Sequence, residues 1–508
     1  MADYQLALAF AHKINMPNFW RRCVIVAAAY GQLGEQYEAR KALRELLALK
    51  PDYSEFGPRF FNKWFQPEMV ELISDGLRKA GLDIAGEPPK SGAMELSASG
   101  AFRAGEGFWV AVLPFKYAGS NADLTALADG LTEDIVTGLS HFSYLRVIAR
   151  SSTSRFAQDG VDVRSAGKEL GARYVMEGSL RQAGSKLRLA VQVVDTVSGA
   201  NLWAESFERA FSADALFALQ DDLVPRIVST VADQSGVLTR GMSELLRSKS
   251  EDQLTPHEAV LRAFIYFERV TPDEHARTKR FLERAVHQAP DQADCWAMLS
   301  MLYRGEYAQG FNAEPDPLGR ALAAAQRAIE LAPSNHLGWC ALAAAHFFKK
   351  ELLSFRAAAQ RCIALNSMDG SSLAFLGLMR AYSGEWEEGC AQVEIAAKLN
   401  PNHPGWYRFA AFTNAYRKGQ YQEALEAALR INMPGFFLTY VTRAAAYGQL
   451  GQHQDAQKVL KELLVLRPDF AQTARDEFAK WYTPEQVEQL IDGLRKAGLQ
   501  VADPATIR

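Results

Sequence analysis

From residue 257 onward, large aromatic, small and proline residues recur at intervals of about 34 residues. The clearest unit places Trp339, Leu342 and Ala343 on one predicted helix and Ala359 and Cys362 on the next. Before it stand Trp296, Leu299 and Tyr303, then, after about nine extra residues, Ala321, Ala325, Ala328 and Pro333. After it come Leu376, Gly377, Gly389, Ala396 and Pro401, and the last complete unit carries Tyr440, Ala444, Tyr447, Ala456, Leu460, Leu463 and Pro468. A two-helix unit of this length cannot bury both of its faces alone. Neighbouring units must therefore stack and share one continuous core, which commits residues 256–468 to an extended helical array. Six units are expected, over 257–290, 292–333, 335–367, 369–401, 403–434 and 436–468, with a helical cap over 470–498 and a tail to 508.

The spacing resembles the tetratricopeptide signature, in which a large residue of one helix fills the space beside a small residue of its neighbour and a proline stops the second helix. The resemblance implies a helical solenoid with a concave face lined by the first helix of each unit. On that mapping the face includes Phe347, Phe348, Leu378, Tyr382, Arg408, Phe412 and Tyr416. This apolar and aromatic strip with one cation would suit an amphipathic helix or an extended peptide. Equally, the same side chains could do no more than pack inside the superhelix or under another domain. The Lys and Asn set of repeats that grip chaperone tails is missing, which argues against that class of partner.

A longer repeat overlies the short one. INMPNFWRRCVIVAAAYGQLG from Ile14 matches INMPGFFLTYVTRAAAYGQLG from Ile431, and the offset of 417 holds without a gap to DGLRKAGL at Asp75 and Asp492. Over Ile14 to Leu82, 38 of 69 positions are identical. Residues 1–82 thus read as a second copy of the last repeat and cap (418–499), without the preceding array. Glu423, Glu426 and Ala427 of the later copy correspond to Leu6, Ala9 and Phe10, a more apolar helix surface. Such a surface is expected either to dock on another array, in this chain or a second subunit, or to belong to a fragmentary leader.

Between the copies the pattern changes. Residues 83–107 are rich in Gly, Pro, Ser and Ala and read as a linker. Phe108 to Phe115 reads as an apolar strand; Leu131, Ile135, Leu139 and Phe142 mark an amphipathic helix. A short strand over Leu145 to Ala149 and a helix over Val163 to Leu170 follow. Strands are then expected over Tyr174 to Leu180, Leu187 to Val194 and Asn201 to Phe207, the last two turning at Ser198-Gly199. A closing helix carries Leu216, Leu219, Leu223, Ile227 and Val231, and a linker helix over 237–255 leads to the repeats. The expected fold is therefore mainly α: a solenoid with an inserted α/β domain at 108–236 and an N-terminal repeat-and-cap fragment.

VAVLPF at Val110, LADGLTEDIVTGLS at Leu127, VIARSSTSRF at Val147 and DVRSAGKELGARYVMEGSLRQ at Asp162 resemble the TolB-like N-terminal domain. That domain, with tetratricopeptide repeats behind it, occurs in bacterial class III adenylate cyclases and, in similar arrangements, in regulators of the CadC and HilA type. The resemblance covers residues 108–499. It implies cyclic-nucleotide-type signalling, but no cyclase chemistry can be carried onto a residue here. Paired metal-binding aspartates before the repeats, a P-loop and a kinase motif set are all missing from the sequence.

Composition excludes other classes. Hydrophobic residues make up 48%, charged residues 23%, and the net charge is −3, so no basic field marks a nucleic-acid or membrane partner. Cys23, Cys295, Cys340, Cys362 and Cys390 show no CxxC pairing and read as buried apolar residues of a reducing compartment. No basic leader, cleavage site or apolar run near 20 residues is present, so a cytoplasmic location is expected. Asp129, Glu133 and Asp134 are expected in the first turns of a helix rather than on a metal. The polar stretch Arg150 to Arg155 reads as a loop, with phosphate holding as the sharper alternative. Gly105-Glu106-Gly107 precedes its strand and fails as a dinucleotide loop; the nine histidines never stand i, i+4, so no metal and no cofactor are expected.

The expected function is thus a non-enzymatic regulatory scaffold that binds protein or peptide partners. Alternatives are a cyclase-family enzyme and a transcriptional regulator lacking its DNA-binding domain. Homo-oligomerisation through the N-terminal edge is a further expectation, and a chain begun near residue 90 would then lose stability or its oligomeric state.

Overall fold

The computed structural model describes residues 4–13, 20–50, 53, 67–82, 108–158, 161–210 and 216–501. The chain divides into two units, Met1–Ser99 and Gly100–Arg508. The expected linker over 83–107 lies outside the described residues.

In the first unit, helices Tyr4–Lys13, Trp20–Leu33, Gln36–Leu49 and Pro67–Lys79 close over a core that includes Val24, Ala27, Ala39, Leu46 and Leu77. Leu6, Ala9 and Phe10 lie on the first of these helices, but their side chains are outside the described residues. The duplication seen in sequence is also a duplication of packing. A Cβ on Gly31 would stand 2.0 Å from the Gly76 carbonyl oxygen, and one on Gly448 would stand 2.0 Å from that of Gly493. Beside each contact the same polar triad recurs. Gln32 donates to Asp75 at 3.0 Å and Lys79 pairs with Asp75 at 2.7 Å; Gln449 donates to Asp492 at 2.8 Å and Lys496 pairs with Asp492 at 2.6 Å. Two helices approach backbone to backbone only where Cβ is missing. Gly448→Val is therefore expected to lower stability by roughly 1–3 kcal/mol through overpacking. Urea unfolding checks it, and an unmoved midpoint would mean the two helices can part freely.

In the second unit, residues 108–236 form a six-stranded mixed sheet in the order β3-β1-β4-β5-β6, with β2 also paired to β4. The strands are β1 (Trp109–Val112), β2 (Lys116–Tyr117), β3 (Arg146–Val147), β4 (Tyr174–Ala183), β5 (Lys186–Asp195) and β6 (Asn201–Ala210). β1 runs parallel to β3 and β4, whereas β4, β5 and β6 form an antiparallel meander. Alternation along β1 sends Val110 and Val112 to one face, Ala111 and Leu113 to the other. The first face is covered by helices Ala122–Ser140 and Leu216–Ala232, the second by Val163–Leu170. The meander turns at Gly184 and Gly199, both at positive φ, where a Cβ would be strained.

One expectation needs correction. Asn121 caps the helix by accepting from the Asp123 N–H, so the helix begins at Ala122. Asp129, Glu133 and Asp134 therefore lie in its middle, beyond the reach of the N-terminal dipole. They serve as ion-pair and hydrogen-bond partners instead. Arg150 reaches Glu133 at 2.9 Å and Asp129 at 3.7 Å, and Gln220 donates to Asp134 at 3.0 Å.

Six helical hairpins follow among the described residues: Pro256–Glu268 with Pro272–Gln288, Ala293–Ala308 with Pro317–Leu331, His336–Phe348 with Leu352–Leu365, Gly370–Tyr382 with Trp386–Leu399, Arg408–Arg417 with Tyr421–Leu429, and Phe437–Gln449 with His453–Leu466. Their starts are written locally. Thr255 and Glu258 form a capping box with Pro256 in the first turn, and Asn335 and Asp369 cap the third and fourth hairpins by accepting backbone N–H groups. The extra residues of the second hairpin form the loop 309–316. It is held by Glu306, which accepts from the Glu314 N–H at 3.0 Å and from Lys279 at 3.0 Å. The sheet's helical face and the first hairpins share one core, running from Val112 and Leu131 through Leu223 to Phe264, Phe281, Leu302 and Leu337. Two terminal helices, Phe470–Ala479 and Pro484–Lys496, end the array. Among the described residues no helix is long and apolar enough to cross a membrane, and no three metal-ligating side chains cluster.

Candidate functional site: a cavity inside the array

The terminal helices fold back across the concave side of the hairpins. Between them, Trp481 stacks edge-on against Phe348 with centroids 4.7 Å apart, and the Tyr482 hydroxyl meets that of Tyr382 at 3.4 Å. Lys350 donates to the Lys480 carbonyl at 2.8 Å and Arg467 to that of Gln309 at 3.4 Å. What remains of the concave space is a cavity of about 140 Å³, walled by Phe264, Met301, Phe375, Leu378, Tyr382 and Phe436 among others. Trp481 and Tyr482 of the cap contribute to its wall, and so do Gln234 and Ser235, which follow the helix Leu216–Ala232 of the sheet domain.

The seven residues expected on one open face are thereby divided. Leu378 and Tyr382 line the cavity. Phe347, Phe348 and Phe412 are buried in the array's core. Tyr416 is buried as well, its hydroxyl donating to the Gln489 carbonyl of the cap at 3.2 Å. Arg408 is half-buried beside His403, with 3.4 Å between nitrogens, and does not line the cavity. The cause is the cap: it covers the strip that a hairpin-by-hairpin mapping leaves open.

The cavity's cation is a residue that sequence reasoning passed over. Arg304 sits on helix Ala293–Ala308, where Ala297, Met301 and Arg304 fall at i, i+4 and i+7 and all three line the cavity. Its side chain is buried, with Cζ 5.4 Å from the Phe375 ring centre and 5.7 Å from that of Phe348. Three cations among the described residues are fully buried. Arg262 pairs with Glu274 at 2.9 Å, and Lys279 pairs with Glu306 at 3.0 Å. Arg304 pairs with no carboxylate among the described residues, and its Nε has no hydrogen-bond partner. Burial pulls its pKa below the ordinary arginine value, and the nearby Tyr266 and Cys340 only partly oppose this. A guanidinium nevertheless stays protonated at neutral pH. The two aromatic faces supply part of the stabilisation that a counter-ion would give. The signal for it lay in the run Met298 to Tyr303: a helix apolar on nearly every side should not carry an arginine without a partner.

The other polar groups of the cavity are hydroxyls, side-chain amides, an indole N–H and the Cys340 thiol. Tyr382 and Tyr482 have hydroxyl pKa values raised by burial, and no Asp, Glu, His or Lys lines the described wall. Trp481 adds an indole N–H without a partner, and Gln309 a side-chain oxygen without one. Elsewhere, Arg150 to Arg155 is a short helix and turn whose cations are occupied. Arg155 pairs with Glu169 at 3.0 Å, and the Thr153 and Ser154 hydroxyls donate to Arg150 and Ser151 carbonyls of their own turn. It shows no open phosphate cradle.

The sheet domain and the array meet at the cavity's edge in buried polar contacts. Tyr144, held within the sheet domain by its hydrogen bond to the Ala232 carbonyl at 2.9 Å, stacks edge-on with Phe264 of the array at 4.9 Å. Asn400 donates to the Asp233 carboxylate at 3.1 Å, and Thr230 to the Leu399 carbonyl at 3.3 Å.

Residues 106–226 match the family model of the HilA/YgeH-like transcriptional regulator, second domain. That is the sheet domain. A curated relative, "Putative adenylate cyclase 3" of Rhizobium meliloti (strain 1021), is 34% identical over 247 residues, which is 48% of this chain. The chain spans only 41% of that relative's length. Among solved structures, the hetero-tetramer of the APC/C proteins Cut9 and Hcn1 is similar over 97% of this chain and 90% of its own, at 12% identity and a TM-score of 0.37. Yeast Tom70 is similar over 97% and 81%, at 11% identity and a TM-score of 0.30. These scores are low, and the assignment of a helical solenoid rests on the chain's own hairpins.

Proposed function

We propose that this chain is a regulatory module of cyclic-nucleotide-type signalling, which binds its ligands and partners rather than transforming them. One observation carries the reading: the concave interior, where a solenoid presents its functional surface, holds a buried cation and mostly apolar walls, with no carboxylate among the described lining residues. A site of that make-up is suited to holding a molecule. The relative named as an adenylate cyclase supplies the signalling context, and the resemblance of residues 108–236 to a TolB-like domain agrees with it. Protein or peptide partners are the other expected clients of the array. The sheet domain contributes Gln234 and Ser235 to the cavity wall, so occupancy there would be felt by both parts.

Incubation with ATP and Mn²⁺ tests the reading, with cyclic AMP formation at the level of a protein-free blank as the expected result. Sustained turnover would refute it. The family model matched by 106–226 favours a second reading, a part of a transcriptional regulator. Salt-sensitive, sequence-dependent retention of a DNA duplex would support that alternative; at a net charge of −3, none is expected.

A further inference from the structure

We infer that the cavity is a binding site for a small amphiphilic carboxylate, a short acyl or aromatic acid, whose carboxylate would face Arg304 while its apolar body lies against Met301, Phe375 and Leu378. This deepens the binding reading above by naming what is bound.

Buried charges in folded proteins are paired, because removing a cation from water without a counter-ion is costly. Arg262 and Lys279 of the same array obey that rule; Arg304 does not. The missing partner must be an anion, and it must arrive through the cavity that Arg304 lines. A guanidinium offers a planar fork of donors that matches the two oxygens of a carboxylate. The unpartnered Trp481 indole N–H and the side chain of Gln309, whose amide can present N–H to an acceptor, stand on the same wall. Most of the remaining wall is aromatic and aliphatic, with Phe264, Phe436 and Leu438 beyond those named and Gln234, Ser235, Ser371 and Ser372 as its polar breaks, so the anion must carry an apolar body. Inorganic phosphate or sulfate would leave those walls against water. An amine would meet a like charge, and a neutral alcohol would leave the guanidinium unpaired. At about 140 Å³ the space suits a small molecule better than a peptide strand.

The experiment uses the full chain and octanoate, followed by calorimetric titration and by the shift in melting temperature. Saturable binding is expected, with a rise of several degrees in melting temperature at saturation. Octanol and octylamine should bind at least tenfold more weakly. Arg304→Met should keep a cooperative melt and lose at least tenfold in octanoate affinity, and Arg304→Lys should fall between. Equal binding of octanol and octanoate would overturn the assignment, as would unchanged affinity in Arg304→Met or no binding of octanoate and phenylacetate alike. Binding of a free-carboxylate peptide in preference to either acid would overturn it too, in favour of a peptide site. If Arg304→Met fails to fold, the comparison of octanoate with octanol on the unaltered chain still decides. A failure here leaves the cyclase assay's answer untouched, so the two readings fall separately.

Discussion

Phe412→Ser is expected to remove about 3–5 kcal/mol of stability, with a further cost for the stranded hydroxyl, and to abolish the cooperative unfolding of the array. Phe412 is wholly buried on helix Arg408–Arg417, its ring 5.3 Å from that of Tyr416, which is itself pinned to the cap through Gln489. Removing the ring leaves a space in the array's core that the packing around it can close only in part. Against the 5–15 kcal/mol that typically holds a domain together, the loss is a large fraction. Urea unfolding followed by near-ultraviolet circular dichroism measures it. A variant that kept its midpoint and lost only a protein partner would show Phe412 to be an exposed binding residue, contrary to its burial.

That contrast shows what the sequence can and cannot disclose. The hairpins were legible because their determinants are local: a proline after most of the second helices, Thr, Asn or Asp before several first helices, and small residues such as Gly389, whose Cβ would stand 2.4 Å from the Ala381 nitrogen. The duplicated cap was legible for the same reason, since Gly31 and Gly448 report a close approach that only glycine allows. The sheet strands were legible by alternation, although β1 and β3 are shorter than their apolar runs and β2 carries no signal beyond its two residues. The cavity was not legible. It depends on Trp481 and Tyr482 reaching Phe348 and Tyr382, 133 and 100 positions earlier, and no local pattern records which face a cap will cover. Arg304 was overlooked because a single arginine in a helix reads as solvated until the helix is known to be buried all round. Asp129, Glu133 and Asp134 were misplaced along their helix because the cap at Asn121 is one residue among many polar ones.

The second large effect is a pH dependence at the joint between the sheet domain and the array. Asp233 is fully buried there. It accepts from Asn400 Nδ2 at 3.1 Å, from the Ser235 N–H at 2.9 Å and from the Ser229 hydroxyl at 3.4 Å. Burial, reinforced by the neighbouring Asp369 carboxylate, pushes its pKa up to about 7; the hydrogen bonds from Asn400 and Ser235 and the charge of Arg240 oppose this without prevailing. The folded state therefore holds the proton more tightly than the unfolded chain, whose aspartates titrate near 4. Below that pH both states are protonated and the group contributes no slope. As pH rises from about 4 to about 7 the unfolded chain ionises first, and folding stability falls by as much as about 4 kcal/mol. Above about 7 the folded Asp233 ionises too, and the decline stops. Asp233→Asn removes the titration while keeping an oxygen for the Ser235 N–H. The variant should thus gain on the unaltered chain steadily between pH 4 and 7, by about 1.4 kcal/mol per unit at most, and run parallel to it above. Denaturant midpoints of both proteins at half-unit steps from pH 4 to 8 give the difference directly. Parallel profiles throughout would mean that Asp233 is ionised in the folded chain and that water reaches the joint. A diverging pair would mean instead that the contact coupling the sheet domain to the cavity's edge is a protonated carboxyl at rest, tightest on the acid side of neutrality.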